Sequence, residues 1–99
     1  MTTPLALETS RRDDGNRVLT ATGEIDLSNI ADFSRALDAA TADGPLIVDL
    51  RAVDYLDSGA INTLFTHADR VSLIINPVLK TVLTVSGLTS LVRIELRPG

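Results

Sequence analysis

The chain has 99 residues, of which 44% are hydrophobic and 22% are charged, and this balance predicts a single domain that spans residues 1–99. It contains no cysteine and only one histidine, so disulfides, cysteine-based zinc sites and multi-histidine metal sites are excluded. The formal net charge is −4 with scattered basic residues, and no apolar run approaches the ~20 residues of a membrane span, so we expect a cytoplasmic protein that neither binds nucleic acid directly nor inserts into a membrane.

The first third of the chain predicts a hairpin and a helix. Two alternating segments, Leu5 to Thr9 and Arg17 to Thr22, flank the turn-forming sequence Asp13-Asp14-Gly15-Asn16, as in a β-hairpin. Ser28 is then the expected N-cap of a helix, because its hydroxyl can accept a hydrogen bond from a free backbone N–H. Apolar residues recur at spacings of three and four from there to the helix stop signals at Gly44-Pro45.

The middle of the chain predicts a strand and a second helix. Leu46 to Leu50 is short and almost continuously aliphatic, which is typical of a strand buried on both faces. Asp57-Ser58-Gly59 then begins a segment with helical periodicity. The residues that would form its buried stripe are Ile61, Leu64, Phe65 and Ala68. His67 belongs to the same helix, and we expect it on the helix surface.

The last third predicts a strand, a helix and a final strand. Val71 to Ile75 is again strand-like, and Asn76-Pro77 would begin a third helix, because proline at the first helical position sacrifices no hydrogen bond. Ser86-Gly87 would end this helix. Its inward-facing residues would be Leu79, Val82 and Leu83. Charged residues alternate with Val92, Ile94 and Leu96, which predicts a last strand with one solvent-exposed face.

These elements define a fold class. Their order is ββαβαβαβ, and helices that follow buried strands imply right-handed crossovers. We therefore expect an α/β protein in which helices pack on a mixed β-sheet. The side chains expected in its core include Leu37, Val48, Ile61, Leu64 and Phe65.

The junction between the middle strand and the second helix carries the most distinctive polar residues. Free N–H groups and the helix dipole would favour an anion, such as a phosphate on Ser58, at this position. The simpler alternative is that Asp57 or Ser58 only caps the helix. Ser58 is not a hydrolase nucleophile, because Leu56 and Ala60 replace the glycines of that motif. His67 lies nine positions further on, about 13 Å along the helix axis and on its opposite face, too far for a dyad.

A magnesium site is a further alternative for the same region. Asp49, Asp54 and Asp57 could supply carboxylates. Magnesium sites usually combine one or two carboxylates with substrate phosphates, however, and the sequence has no glycine-rich phosphate loop. We therefore expect no metal, no cofactor and no enzymatic activity.

From Arg17 to Glu95 the chain resembles the STAS domain family, and within it the bacterial anti-sigma factor antagonists. Gly23-Glu24-Ile25-Asp26 is similar to the turn that follows the family's second strand. Leu56 to Ile61 resembles the acceptor motif, hydrophobic-Asp-Ser-x-Gly-hydrophobic, whose serine is phosphorylated. Asn76-Pro77-Val78 and Val85-Ser86-Gly87-Leu88 resemble the segments that begin and end the third helix.

The resemblance implies a STAS-like fold and a partner switch. Family antagonists in the unphosphorylated form bind an anti-sigma factor, often a kinase that uses ATP, and so free a sigma factor. Phosphorylation of the serine ends this binding. Carried over to this chain, Ser58 is the phosphoacceptor and Asp57 its acidic neighbour, and Asp26 lies in a loop that borders the same face. The residues implied in partner binding are Asp26, Asp57, Ser58 and Gly59.

Three features depart from the family pattern. The glycine two places after the acceptor is Ala60 here, and Gly59 precedes it. The segment from Ser58 to Pro77 is several residues shorter than in the family, and the chain ends at Gly99, where many relatives add a helix. A homodimer could cover the side that such a helix would occupy.

Two other functions stay open. One is an accessory subunit that docks on an ABC-type lipid transporter through the same helix. The other is a scaffold domain that is never phosphorylated, which the Ala60 departure keeps open. The intact serine at position 58 favours an antagonist over the transporter subunit, because a transporter subunit needs no switch.

Overall fold

The computed structural model describes residues 4–42, 44–87 and 93–96. Within them, strands and helices follow in the predicted order ββαβαβαβ. The strands are β1 (Ala6–Arg11), β2 (Arg17–Ile25), β3 (Leu46–Leu56), β4 (Val71–Ile75) and β5 (Arg93–Leu96). The helices are α1 (Ile30–Thr41), α2 (Ser58–Thr66) and α3 (Pro77–Ser86). The described helices are all too short or too polar to cross a lipid bilayer.

The strands form one mixed sheet, as predicted, and their order in it is β1-β2-β3-β4-β5. β1 and β2 are antiparallel and joined by a turn in which Gly15 has a φ of 87°, a conformation that glycine adopts without a Cβ clash. β2 to β5 are parallel. Each crossover connection adds the next parallel strand beside the previous one, always in the same direction across the sheet. Right-handed connections therefore place all three helices on one face of the sheet.

The core lies between this sheet face and the helices. Leu19, Val48 and Leu73 lie side by side on β2, β3 and β4 and are at most 1% exposed. The large helix residues packed in the same cluster are Phe33, Leu37, Leu64, Leu79 and Leu83. Val18 and Ile74 are also buried but lie outside this cluster, because their strand positions point to the opposite face of the sheet.

The predicted core is correct for Leu37, Val48 and Leu64, which are completely buried. It is wrong for Ile61 and Phe65, which are half-buried at the margin of the cluster. The reason is the narrow contact of α2 with the core, which buries a stripe only one residue wide.

That stripe consists of positions four apart. On α2 the fully buried residues are Ala60 and Leu64, so their neighbours about 100° around the helix reach the margin. On α3 Leu79 and Leu83 are buried as predicted, whereas Val82 is 39% exposed and its predicted inward orientation is wrong.

Several predicted boundaries shift in the structure. The predicted strand from Leu46 to Leu50 continues to Leu56. Ser28 is not the N-cap of α1, because Asn29 occupies that position. The side chain of Asn29 makes no cap hydrogen bond. The end of α3 is as predicted, with Gly87 in the left-handed conformation at the C-cap. Of the predicted last strand, Val92 lies outside the described residues, and so does Leu88 of the α3 end motif.

Candidate functional site

The predicted site residues follow the carboxyl ends of two neighbouring parallel strands. Asp26 follows β2, and Asp57 and Ser58 follow β3. This edge is where open α/β sheets usually bind their ligands. The Asp57 N–H donates to the Ile25 carbonyl at 3.2 Å, which ties the two strand ends together. The structure therefore brings the Asp26 loop and the start of α2 side by side.

Asp57 is the N-cap of α2. Its backbone is extended, and its Oδ1 accepts a hydrogen bond from the Ala60 N–H at 2.9 Å. Its carbonyl accepts from the Ile61 N–H at 3.1 Å, which begins the helical hydrogen bonding. The capping alternative is thus correct for Asp57, and it does not conflict with a second role at the surface.

Ser58 is the first residue of α2 and is exposed. Backbone N–H groups in the first turn of a helix have no partner within the helix, and the helix dipole is positive at this end. A phosphoryl group on the Ser58 hydroxyl would therefore be compatible with the helix. The exposure of Ser58 also leaves its hydroxyl open to a second protein.

Gly59 lies where a side chain would crowd the cap. A Cβ added here would stand 3.3 Å from Oδ1 of Asp57 and 3.9 Å from the Ile30 side chain. Glycine therefore lets the first turn of α2 lie close to both the cap carboxylate and the start of α1. Ala60, the departure from the family pattern, is fully buried in the core, so its methyl group is accommodated there.

The loop after β2 is held by a compact hydrogen-bond network. Oδ1 of Asp26 accepts from both the N–H and the hydroxyl of Ser28, and the Asp26 N–H donates to Oδ1 of Asn29 at 3.0 Å. Nδ2 of Asn29 donates to the Glu24 carbonyl at 2.9 Å. These bonds explain why Ser28 does not cap α1. They also fix a turn whose tip, Leu27, is 82% exposed.

The same edge of the sheet is acidic. Glu24 and Asp26 stand at the end of β2, and Asp54 and Asp57 stand at the end of β3. The exposed Leu27 follows Asp26 directly in the chain. Sequence patterns did not single out Leu27, because one apolar residue in a polar loop has no periodicity.

Asp49 belongs to an ion pair with Arg51. Its carboxylate accepts from the Arg51 guanidinium at 2.7 to 3.2 Å and from the Arg51 N–H at 3.0 Å. Burial alone would raise the pKa of Asp49, but the hydrogen bonds from Arg51 outweigh it and lower that pKa below 3.8. In the described ranges no three acidic or histidine side chains are grouped so that they could hold a metal ion.

His67 is buried, so its predicted place on the helix surface is wrong. It is 8% exposed and lies at the C-cap of α2. Its Nδ1 is 2.9 Å from the Thr63 carbonyl, and its Nε2 is 2.7 Å from Oδ1 of Asp38 on α1. His67 therefore joins α2 to α1, while Ser58 lies at the opposite end of α2, so the two cannot form a dyad.

Asn76 is a further buried polar residue and lies at the start of α3. It is 8% exposed and caps α3, because its Oδ1 accepts from the Leu79 N–H at 3.3 Å. Its Nδ2 donates to the carbonyls of Arg51 at 2.8 Å and Val53 at 3.1 Å. The sequence indicated the start of α3 at Asn76 but not the contact with β3.

Comparison with known proteins identifies the architecture. The family model of the STAS domain matches residues 9–98. The structure of an anti-sigma factor antagonist from Mycobacterium paratuberculosis is similar, with a TM-score of 0.84 and 23% identity over 95% of this chain and 89% of that chain. No curated protein matches the sequence.

Two further solved structures share the fold. The anti-sigma factor antagonist SpoIIAA in its unphosphorylated form has a TM-score of 0.65 and 17% identity over 91% of this chain and 88% of that chain. An anti-sigma factor antagonist STAS domain from Rhodobacter sphaeroides has a TM-score of 0.53 and 15% identity over 72% of this chain and 84% of that chain. Identities this low show a common fold.

Proposed function

Since the chain belongs to the STAS domain family, we propose that it is an anti-sigma factor antagonist, a binding protein without enzymatic activity. It binds an anti-sigma factor while Ser58 is unphosphorylated and thereby releases a sigma factor. The observation that carries this proposal is the exposed Ser58 hydroxyl on the first turn of α2, beside Asp57 and the Asp26 loop. The structurally similar anti-sigma factor antagonists support the same role.

The binding surface is formed by the acidic edge of the sheet and the Leu27 turn. Partners recognise such a surface through complementary charge and through pockets for exposed apolar side chains. Leu27 is held on a turn that is already ordered by hydrogen bonds, so little conformational entropy is lost when a partner contacts it. The anti-sigma factor is therefore expected to present positive charge around an apolar pocket.

Phosphorylation switches the surface off. The anti-sigma factor acts as the kinase: a bond forms between Oγ of Ser58 and the γ-phosphorus of its ATP, ADP leaves, and the hydroxyl proton passes to a base of the kinase. The product carries about −1.5 to −2 additional charge beside Asp57. Helix α2 tolerates this charge at its N-terminus. An interface packed closely around the neutral hydroxyl does not, because it has neither room for the phosphoryl group nor a donor placed to pair its charge, although positive charge faces the acidic residues around it.

The test compares Ser58→Ala, Ser58→Asp and Ser10→Asp, where Ser10 is exposed on β1 and away from the site. Affinity for anti-sigma factors of the same organism is measured by calorimetry, and phosphate on the treated protein is located by mass spectrometry. We expect Ser58→Ala and Ser10→Asp to bind like the wild type and Ser58→Asp to bind at least tenfold more weakly. Circular dichroism controls for folding. Equal affinity of Ser58→Asp and wild type, with no phosphate on Ser58 after kinase treatment, would refute the switch.

A further inference from the structure

Strand β3 extends beyond the end of its pairing with β4. The β3–β4 ladder ends at the pair Asp49 and Ile74, whereas β3 continues to Leu56. Along this extension β3 remains paired with β2, through to Leu56 opposite Ile25. The extension leads directly into Asp57 and Ser58. Whatever holds its other edge therefore acts together with β2 to position these residues.

The side chain of Asn76 takes the place of the missing strand. Its amide nitrogen donates to two carbonyls of β3, those of Arg51 at 2.8 Å and Val53 at 3.1 Å. The two residues are two positions apart, so their carbonyls face the same side of the strand. An unpaired carbonyl in a buried position destabilises the fold, which gives these bonds structural weight. The extension is thus held by an amide from the start of α3.

The backbone of β3 at Arg51, where Asn76 binds, is itself held by further hydrogen bonds. The register of β2 and β3 shifts between the pairs Thr20 with Asp49 and Thr22 with Ala52, so one extra residue falls in β3. Arg51 lies in this bulge, and both its N–H and its guanidinium bond to the Asp49 carboxylate. The bulge therefore has a defined backbone conformation from which the Arg51 carbonyl meets Asn76.

We propose that Asn76 is the positioning residue of the Ser58 site. Its amide nitrogen holds the β3 extension, and its Oδ1 caps α3, so that the start of α3 and the start of α2 are fixed by one buried side chain. The significance for partner binding rests on the proposed function, whereas the positioning itself is a property of the fold. A residue that served only as a helix cap would need Oδ1 alone.

Asn76→Ser separates the two roles. Serine is a good N-cap, but it cannot donate to two carbonyls of β3. The matched control is Leu83→Val, which loosens α3 in the core and leaves the amide of Asn76 in place. Asn76→Asp is the second variant, because it keeps the shape and the cap acceptor and removes both donors. Sodium sulfate in all samples keeps destabilised variants folded.

The measurement is amide hydrogen exchange by NMR on the full chain. The reporters are the N–H groups of Asp57, Ala60 and Ile61, whose hydrogen bonds form the junction. The reference amides are those of Leu19 and Val48 in the centre of the sheet. We expect both Asn76 variants to raise exchange at the reporters at least tenfold relative to the reference. In Leu83→Val the two sets should change by the same factor.

Equal factors at reporters and reference in the Asn76 variants would overturn the proposal and leave Asn76 a helix cap. The experiment needs neither a kinase nor an anti-sigma factor. Its failure is therefore distinct from the failure of the phosphorylation switch, which is measured on Ser58 itself. Selective exchange at the junction together with unphosphorylated Ser58 would support the positioning role and refute the proposed function.

Discussion

Asp57 combines two roles that a pair of substitutions can separate. Its Oδ1 caps α2 at 2.9 Å from the Ala60 N–H, and its charge contributes to the acidic edge. Asp57→Ala removes both, and loss of an N-cap costs about 0.5 to 2 kcal/mol, so we expect the free energy of unfolding to fall by about 1 kcal/mol. Asp57→Asn keeps an oxygen acceptor and should stay within about 0.5 kcal/mol of the wild type. Urea denaturation followed by circular dichroism measures both.

The affinity of the Asp57 variants for the anti-sigma factor should depend on the charge at position 57 and not on the stability of the variants. If the carboxylate meets positive charge on the anti-sigma factor, Asp57→Asn and Asp57→Ala should lose affinity to a similar extent, about tenfold, or about 1.4 kcal/mol. Calorimetry with the anti-sigma factor provides the affinities, and Asp69→Asn, an exposed acid that follows α2, is the control. Equal stability loss in Asp57→Asn and Asp57→Ala would contradict the cap geometry. Wild-type affinity of Asp57→Asn would remove Asp57 from the binding surface.

Three further outcomes are expected. Leu27→Ala should keep the free energy of unfolding within about 0.5 kcal/mol of the wild type, because Leu27 is 82% exposed. It should nevertheless weaken the calorimetric affinity for the anti-sigma factor by more than about 1 kcal/mol if the tip of the turn fills a pocket. Leu64→Ala should cost about 2 to 5 kcal/mol in urea denaturation, and Phe65→Ala should cost less than Leu64→Ala, because Phe65 is half-buried; the opposite order would contradict the assigned stripe. The lowered pKa of Asp49 contributes stability that is complete above about pH 4 and is lost as the pH falls through the folded-state pKa. The free energy of unfolding of the wild type should therefore fall more steeply below about pH 4 than that of Asp49→Asn. Parallel pH profiles of the two proteins would show that the Asp49–Arg51 pair contributes nothing to stability.

Local signals were sufficient for the ends of α2 and for α3, although they misplaced the N-cap of α1. Asp57 and Asn76 both cap helices that begin one residue later, and Gly87 ends α3, because these residues act on the backbone of their immediate neighbours. The position of Ser58 at a helix start was predictable for the same reason. Its exposure follows from its place on the first turn, opposite the buried stripe.

Long-range contacts were not predictable in the same way. The second half of β3 has exposed polar residues that interrupt its apolar pattern, and pairing with β2 together with the Asn76 amide keeps it extended. The burial of His67 depends on Asp38, 29 residues away on another helix, whose Oδ1 lies 2.7 Å from its Nε2. Asn76 contacts β3 residues 23 and 25 positions away. Such contacts depend on how the crossovers stack the elements, which periodicity does not encode.

The departure of the acceptor motif from its family pattern has a structural meaning. Position 60 faces the core at 0% exposure, so its methyl group fills space beneath α2 and does not reach the surface that carries Ser58. Position 59 lies against the cap, where a Cβ would approach Oδ1 of Asp57 to 3.3 Å. The glycine therefore stands at the position where the cap carboxylate needs room. Because neither residue alters the exposure of the serine, Ala60 is no argument against phosphorylation of Ser58, and the scaffold alternative gains no support from it.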